Sequence, residues 1–67
     1  MNEEMKVAMN FVKEAEKNIG ALPMIVKMEA IPNIIKVLSE RKSGESVRLW
    51  ISSPKTGKVF AATVHCC

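Results

Sequence analysis

Ser46-Val47-Arg48-Leu49-Trp50-Ile51-Ser52 and Lys58-Val59-Phe60-Ala61-Ala62-Thr63-Val64-His65, separated by Ser53-Pro54-Lys55-Thr56-Gly57, decide the fold. Two runs of strand-forming residues around a Pro-to-Gly turn read as a β-hairpin. Proline pre-sets the backbone for the first position of a type I turn, and glycine supplies the left-handed residue that returns the chain. With Pro54 to Gly57 as the loop, Ser53 faces Lys58. The ladder then pairs Ile51 with Phe60, Leu49 with Ala62 and Val47 with Val64 on one face, because opposed residues point the same way. All six are apolar. The other face takes Ser52 with Val59, Trp50 with Ala61, Arg48 with Thr63 and Ser46 with His65, a mixed set. A one-residue slip would scramble both faces, so the pattern fixes the register.

Upstream, Met5, Ala8, Met9, Val12, Ala15 and Ile19 recur at spacings of three and four, with Phe11 widening the stripe. That is the signature of an amphipathic helix. Asn2 is placed to cap it, Glu3 and Glu4 suit its positive end, Lys17 suits its negative end, and Gly20 offers a left-handed stop. Lys6, Lys13, Glu14 and Lys17 form the solvated face, where Glu3 with Lys6 and Glu14 with Lys17 are pairs of opposite charge.

The middle segment, Leu22 to Lys42, admits two readings. Met24, Met28, Ile31, Ile35 and Leu38 suit a second amphipathic helix with Pro23 at its first position, kinked at Pro32 or broken there into helices of about 24–30 and 32–42. In the rival reading Met24-Ile25-Val26-Lys27-Met28 is a short strand and Pro32 starts the only helix of the segment. Both give one α+β domain spanning residues 1–67: an N-terminal amphipathic helix, a Pro-interrupted helical middle segment (or a short strand plus a helix), and a C-terminal hairpin. Ser39 to Ser46 is a turn. Met5, Met9, Met24 and Met28 are expected to fill the core.

A chain of 67 residues buries roughly 60% of its unfolded surface, which leaves little margin for a stable monomer. Self-association, as a homodimer or larger, is therefore expected, with the unpaired outer edge of the hairpin as its means. Hydrophobic residues at 48% and charged residues at 25% are the balance of a folded domain. No apolar run reaches the ~18 residues of a membrane span, and Glu3 and Glu4 stand where a secretory signal would be basic. A soluble cytoplasmic protein is the expectation, and the neighbouring Cys66 and Cys67 make no disulfide framework.

The net charge of +3 is unevenly placed: residues 1–30 hold four lysines against five glutamates, and residues 31–67 hold six lysines and arginines against two glutamates. The basic half contains the hairpin and would attract a polyanion or an acidic protein surface. Trp50 is singled out because the apolar face is complete without it, and exposed Trp and Arg are the side chains of interface hot spots. Cover by the first helix or a loop is the competing reading. Arg48, Arg41, Lys42, Lys55 and Lys58 complete the candidate partner-binding set.

Catalysis has little to stand on. One terminal histidine, no carboxylate pair on an apolar face and no nucleophile beside a base leave no constellation of reacting groups. Gly57-Lys58 lacks the second glycine and the hydroxyl residue of a phosphate-binding loop. In His65-Cys66-Cys67 only His65 and Cys67 share a side of a strand and the rest of the chain offers no fourth ligand, so a closed zinc site within one chain is not expected, although two copies in a dimer could supply four ligands. No cofactor or metal is expected. The function that fits is a small adaptor or inhibitor occupying a partner protein; the alternative is a nucleic-acid-binding accessory protein using the basic half.

Overall fold

In the computed structural model, which describes residues 3–65, α1 (Glu3–Ile19) and α2 (Met24–Ser39) precede an antiparallel hairpin of β1 (Ser46–Ser52) and β2 (Val59–His65). The α+β architecture is as expected. The register runs from Ser46 opposite His65 to Ser52 opposite Val59, with Leu49 opposite Ala62 and Trp50 opposite Ala61, as the apolar pattern requires. Gly57 takes φ 75°, and its N–H donates to the Ser53 carbonyl at 2.8 Å. The Ser53 N–H donates to the Lys58 carbonyl at 2.9 Å, closing the loop where the sequence places it.

One core joins the two layers. Ala8, Phe11, Val12, Ala15 and Ile19 of α1 meet Leu22, Ile34 and Leu38 and, from the sheet, Leu49 and Ile51. Phe60, Ala62, Val47 and Val64 pack against that cluster. The Phe11 and Phe60 rings lie 5.3 Å apart at 53°, a tilted aromatic contact that adds to burial. It pins α1 beneath β2.

α1 ends as expected, with Gly20 at φ 92° and its N–H bonded to the Glu16 carbonyl at 3.1 Å. Glu14 pairs with Lys17 at 3.7 Å on the solvated face. The expected Asn2 cap and the cysteines of the His65-Cys66-Cys67 cluster lie outside the described residues.

The middle segment takes the helical one of its two readings and corrects two of its bounds. Residues 24–28 are helical and not a strand: they form the first turns of α2, whose Val26 and Ala30 pack against the core, and the sheet has two strands. Of the two outcomes expected at Pro32, the break does not occur: α2 is one helix through Pro32, and it stops at Ser39 instead of near Lys42. Proline removes only its own N–H and strains the preceding turn, so sufficient packing on either side carries a helix across it. Ile34 and Leu38 after it are buried in the core, and Val26 and Ala30 before it are packed against that core. Pro23 is the residue before the first helical one (φ −59°, ψ 148°), one place earlier than expected.

The methionines are a further correction. Met5, Met9, Met24 and Met28 are exposed, not core residues. At about 100° per residue, Met9 falls well off the centre of the Ala8–Phe11–Val12–Ala15–Ile19 stripe, and Met5 sits in the first turn. In α2 the buried face is set by Ile34 and Leu38, with Val26, Ala30 and Val37 beside them, which leaves Met24, Ile25 and Met28 facing out.

Candidate functional site

The candidate residues separate along the hairpin. β1 is about 23 Å long at roughly 3.3 Å per residue. Arg41 and Lys42 lie in the connection before its first residue, Lys55 lies in the loop after its last, and Lys58 stands across from Ser53. Arg48 and Trp50 occupy the strand between them. The basic residues are thus spread over the length of the hairpin, and only Arg41, Arg48 and Trp50 line a common surface.

That surface is an open groove between β1 and α2. Ala30, Ile34 and Val37 line its helical wall and Val47, Leu49 and Ile51 its strand wall, with Asn33, Arg41, Arg48 and Trp50 on its margins. It continues past Trp50 toward the hairpin loop, where Val26, Glu29, Ser52 and Pro54 line it. The N-terminal part of α2 therefore lies beside the end of β1, and its C-terminal part beside the start. Helix and strand run antiparallel along the groove.

The groove follows from the widths of the two layers. Packed helices stand 8–10 Å apart, whereas strands stand 4.7–4.9 Å apart. Two strands cannot cover two helices. Because α1 is held beneath β2, the uncovered width falls between α2 and the outer edge of β1.

Trp50 is 70% exposed, so neither α1 nor a loop covers it. Val59, also exposed, lies on the same outer face, diagonal to Trp50 across the ladder. Beside them, Arg48 donates to the Thr63 hydroxyl at 3.4 Å, and the Ser46 hydroxyl lies 3.0 Å from His65 Nδ1. Both contacts span opposed residues of the outer face. Neither Arg48 nor Arg41 is in a salt bridge among the described residues.

The hydrogen-bonding direction of β1 follows from its loop end. The Ser53–Lys58 bond marks a hydrogen-bonded pair, and such pairs alternate along an antiparallel ladder. Val47, Leu49 and Ile51 therefore turn their backbone groups to β2. Ser46, Arg48, Trp50 and Ser52 turn theirs to the open edge, above the groove.

Glu16 is a structural anchor, unnoticed in the sequence reading. Its carboxylate accepts the Leu22 N–H at 2.8 Å and faces Lys27 at 3.4 Å. The Leu22 hydrogen bond holds its pKa below the usual glutamate value; burial opposes it less strongly, and the Lys27 charge adds a smaller lowering. It ties the end of α1 to the connecting loop and to α2. The signal available was a carboxylate four residues before a helix-terminating glycine.

Among the described residues no group of three His, Cys, Asp or Glu side chains could hold a metal, and no helix is long and apolar enough to cross a membrane. Comparisons with protein-family models, curated proteins and solved structures find no match to this chain.

Proposed function

We propose that this chain is a small protein-binding module, an adaptor or inhibitor that acts by occupying a partner through the surface centred on Trp50. The observation that carries this reading is the exposure of Trp50 beside an apolar groove. A tryptophan at 70% exposure holds a large apolar area in water, and such area, rimmed by arginine, characterises the anchors of protein interfaces. The exposed Met24, Ile25 and Met28 of α2 support it. Methionine adapts its shape to irregular partners.

The test is affinity capture from extracts of the cells that make the protein, with and without nuclease, using wild-type and Trp50→Ala baits. A protein retained after nuclease by the wild type, and bound more weakly by Trp50→Ala by about 2 kcal/mol or more, is the expected result. Capture abolished by nuclease, together with a salt-sensitive mobility shift on mixed-sequence DNA or RNA, would replace it with nucleic-acid binding through Arg41, Lys42, Arg48, Lys55 and Lys58.

A further inference from the structure

Building on the protein-binding reading, we propose how the partner is recognised: an extended segment of it pairs antiparallel with the outer edge of β1, as a third strand lying in the groove beside α2. Three independent features converge there. Arg48, Trp50 and Ser52 present their backbone N–H and C=O groups at that edge, by the alternation set from the Ser53–Lys58 bond. The groove runs along the whole strand with an apolar floor of Ala30, Ile34, Val37, Leu49 and Ile51. The helical layer is wider than the two strands above it by about the width an added strand occupies.

Strand geometry dictates the chemistry of the segment. Its residues opposite Val47, Leu49 and Ile51 point down onto the floor and are apolar. Those opposite Arg48 and Trp50 point to the outer face, where a carboxylate meets Arg48 and a β-branched side chain lies against the indole. Antiparallel pairing brings the C-terminal end of the segment to the start of β1, where Arg41 lines the groove, so a second carboxylate belongs there. Backbone pairing supplies affinity and the alternate side chains supply specificity.

A second copy of this chain does not fit the same edge. Antiparallel pairing of two β1 strands about a twofold axis puts both helical layers on one face. Each α2 stands outboard of its own β1, so the two would contend for the space beneath a seam only 4.7–4.9 Å wide, where helices need 8–10 Å.

The probe is a library of N-acetylated seven-residue peptides. Positions opposite Val47, Leu49 and Ile51 vary over Val, Ile, Leu and Phe, and the others over Thr, Ser and Glu. Amide hydrogen exchange of the folded full chain is the readout. Binding members are expected to slow exchange at Arg48, Trp50 and Ser52 at least ten-fold. N-methylation of the peptide amide opposite Trp50, which points at β1, should weaken binding at least ten-fold, whereas N-methylation opposite Leu49, which points away, should leave it nearly unchanged. Ser52→Pro removes one edge N–H at a position where an edge strand tolerates proline, and should bind at least ten-fold more weakly than Ser52→Ala.

Peptides that bind with equal affinity whichever amide is methylated would overturn strand addition and leave side-chain docking at Trp50 standing. A library without any member that protects these amides at millimolar peptide also overturns it, while the capture experiment with Trp50→Ala decides separately whether the chain binds protein. If the chain alone sediments as a dimer at micromolar concentration with the same amides already protected, the occupant is a second copy and the proposal fails.

Discussion

The two helices have similar lengths and opposite surfaces. α1 buries Ala8, Phe11, Val12, Ala15 and Ile19 and shows water a face carrying Lys6, Lys13, Glu14 and Lys17. α2 is apolar on nearly every side: Ile34 and Leu38 are buried, yet Met24, Ile25 and Met28 stand exposed and Ala30, Ile34 and Val37 wall an open groove. A helix with one apolar stripe is satisfied by one layer, whereas a helix apolar all round is made for burial on more than one side. In the contrast, α1 buries its apolar stripe in the core, whereas α2 keeps apolar surface in water, the surface on which the proposed binding rests.

The comparison breaks most sharply in the core. Leu49→Asp, which places an unpaired carboxylate against α1 and α2, should leave no folded protein by circular dichroism. Phe11→Ala removes the ring that α1 packs on Phe60 and should cost about 3–5 kcal/mol in urea denaturation. A loss below about 1 kcal/mol for Phe11→Ala would mean that α1 is not the anchor of the sheet.

Pro32 sets the next largest effect. Pro32 is exposed and donates nothing to the carbonyl of Met28. Proline costs an ordinary helix interior about 3 kcal/mol, so Pro32→Ala should raise stability by about 1–3 kcal/mol. Thermal or urea unfolding will read this directly. A loss of stability would show that the proline shapes α2 to fit its neighbours.

The hairpin was legible in the sequence because two independent signals agree there: alternation assigns Leu49 and Ile51 to one face, and the loop chemistry of Pro54 and Gly57 sets the same register. α1 was legible for its single stripe. α2 was legible as a helix but not in its phase or its end, since apolar residues spread over most of its circumference do not single out the buried face, and local rules for Pro32 and for the β-branched Ile25 and Val26 opposed the tertiary packing that keeps the helix whole. Trp50 was found by subtraction, as the large residue left over once the core face was complete. The groove could not be found that way. It arises from a mismatch of widths between layers that no local pattern encodes.

Glu16 tests how α1 is joined to α2. Its pKa is lowered in the folded chain, so its contribution to stability is present above the ordinary glutamate value of 4.5 and is lost as pH falls through the lower folded value. Wild-type stability should decline over that acid range more steeply than that of Glu16→Gln, with the two curves converging once the carboxyl is protonated. Parallel curves in denaturant titrations at stepped pH would show that the Leu22 and Lys27 contacts are not held in solution.

The smallest effect on stability is expected at the methionines of α2, and there the contrast between the helices is most exposed to refutation. Met24 and Met28 are both 66% exposed, so Met24→Gln with Met28→Gln removes little buried area and keeps side chains of good helix propensity. Their combined cost should stay within about 0.5 kcal/mol, as for other surface changes. The matching change on α1, Val12→Gln, strips a buried side chain and should cost several-fold more. If the double substitution instead destabilises the isolated chain by 2 kcal/mol or more, that face of α2 belongs to the chain's own core. Should stability hold while the affinity for a captured partner drops, the exposed methionines join Trp50 as contact residues, extending the interface from the groove around α2.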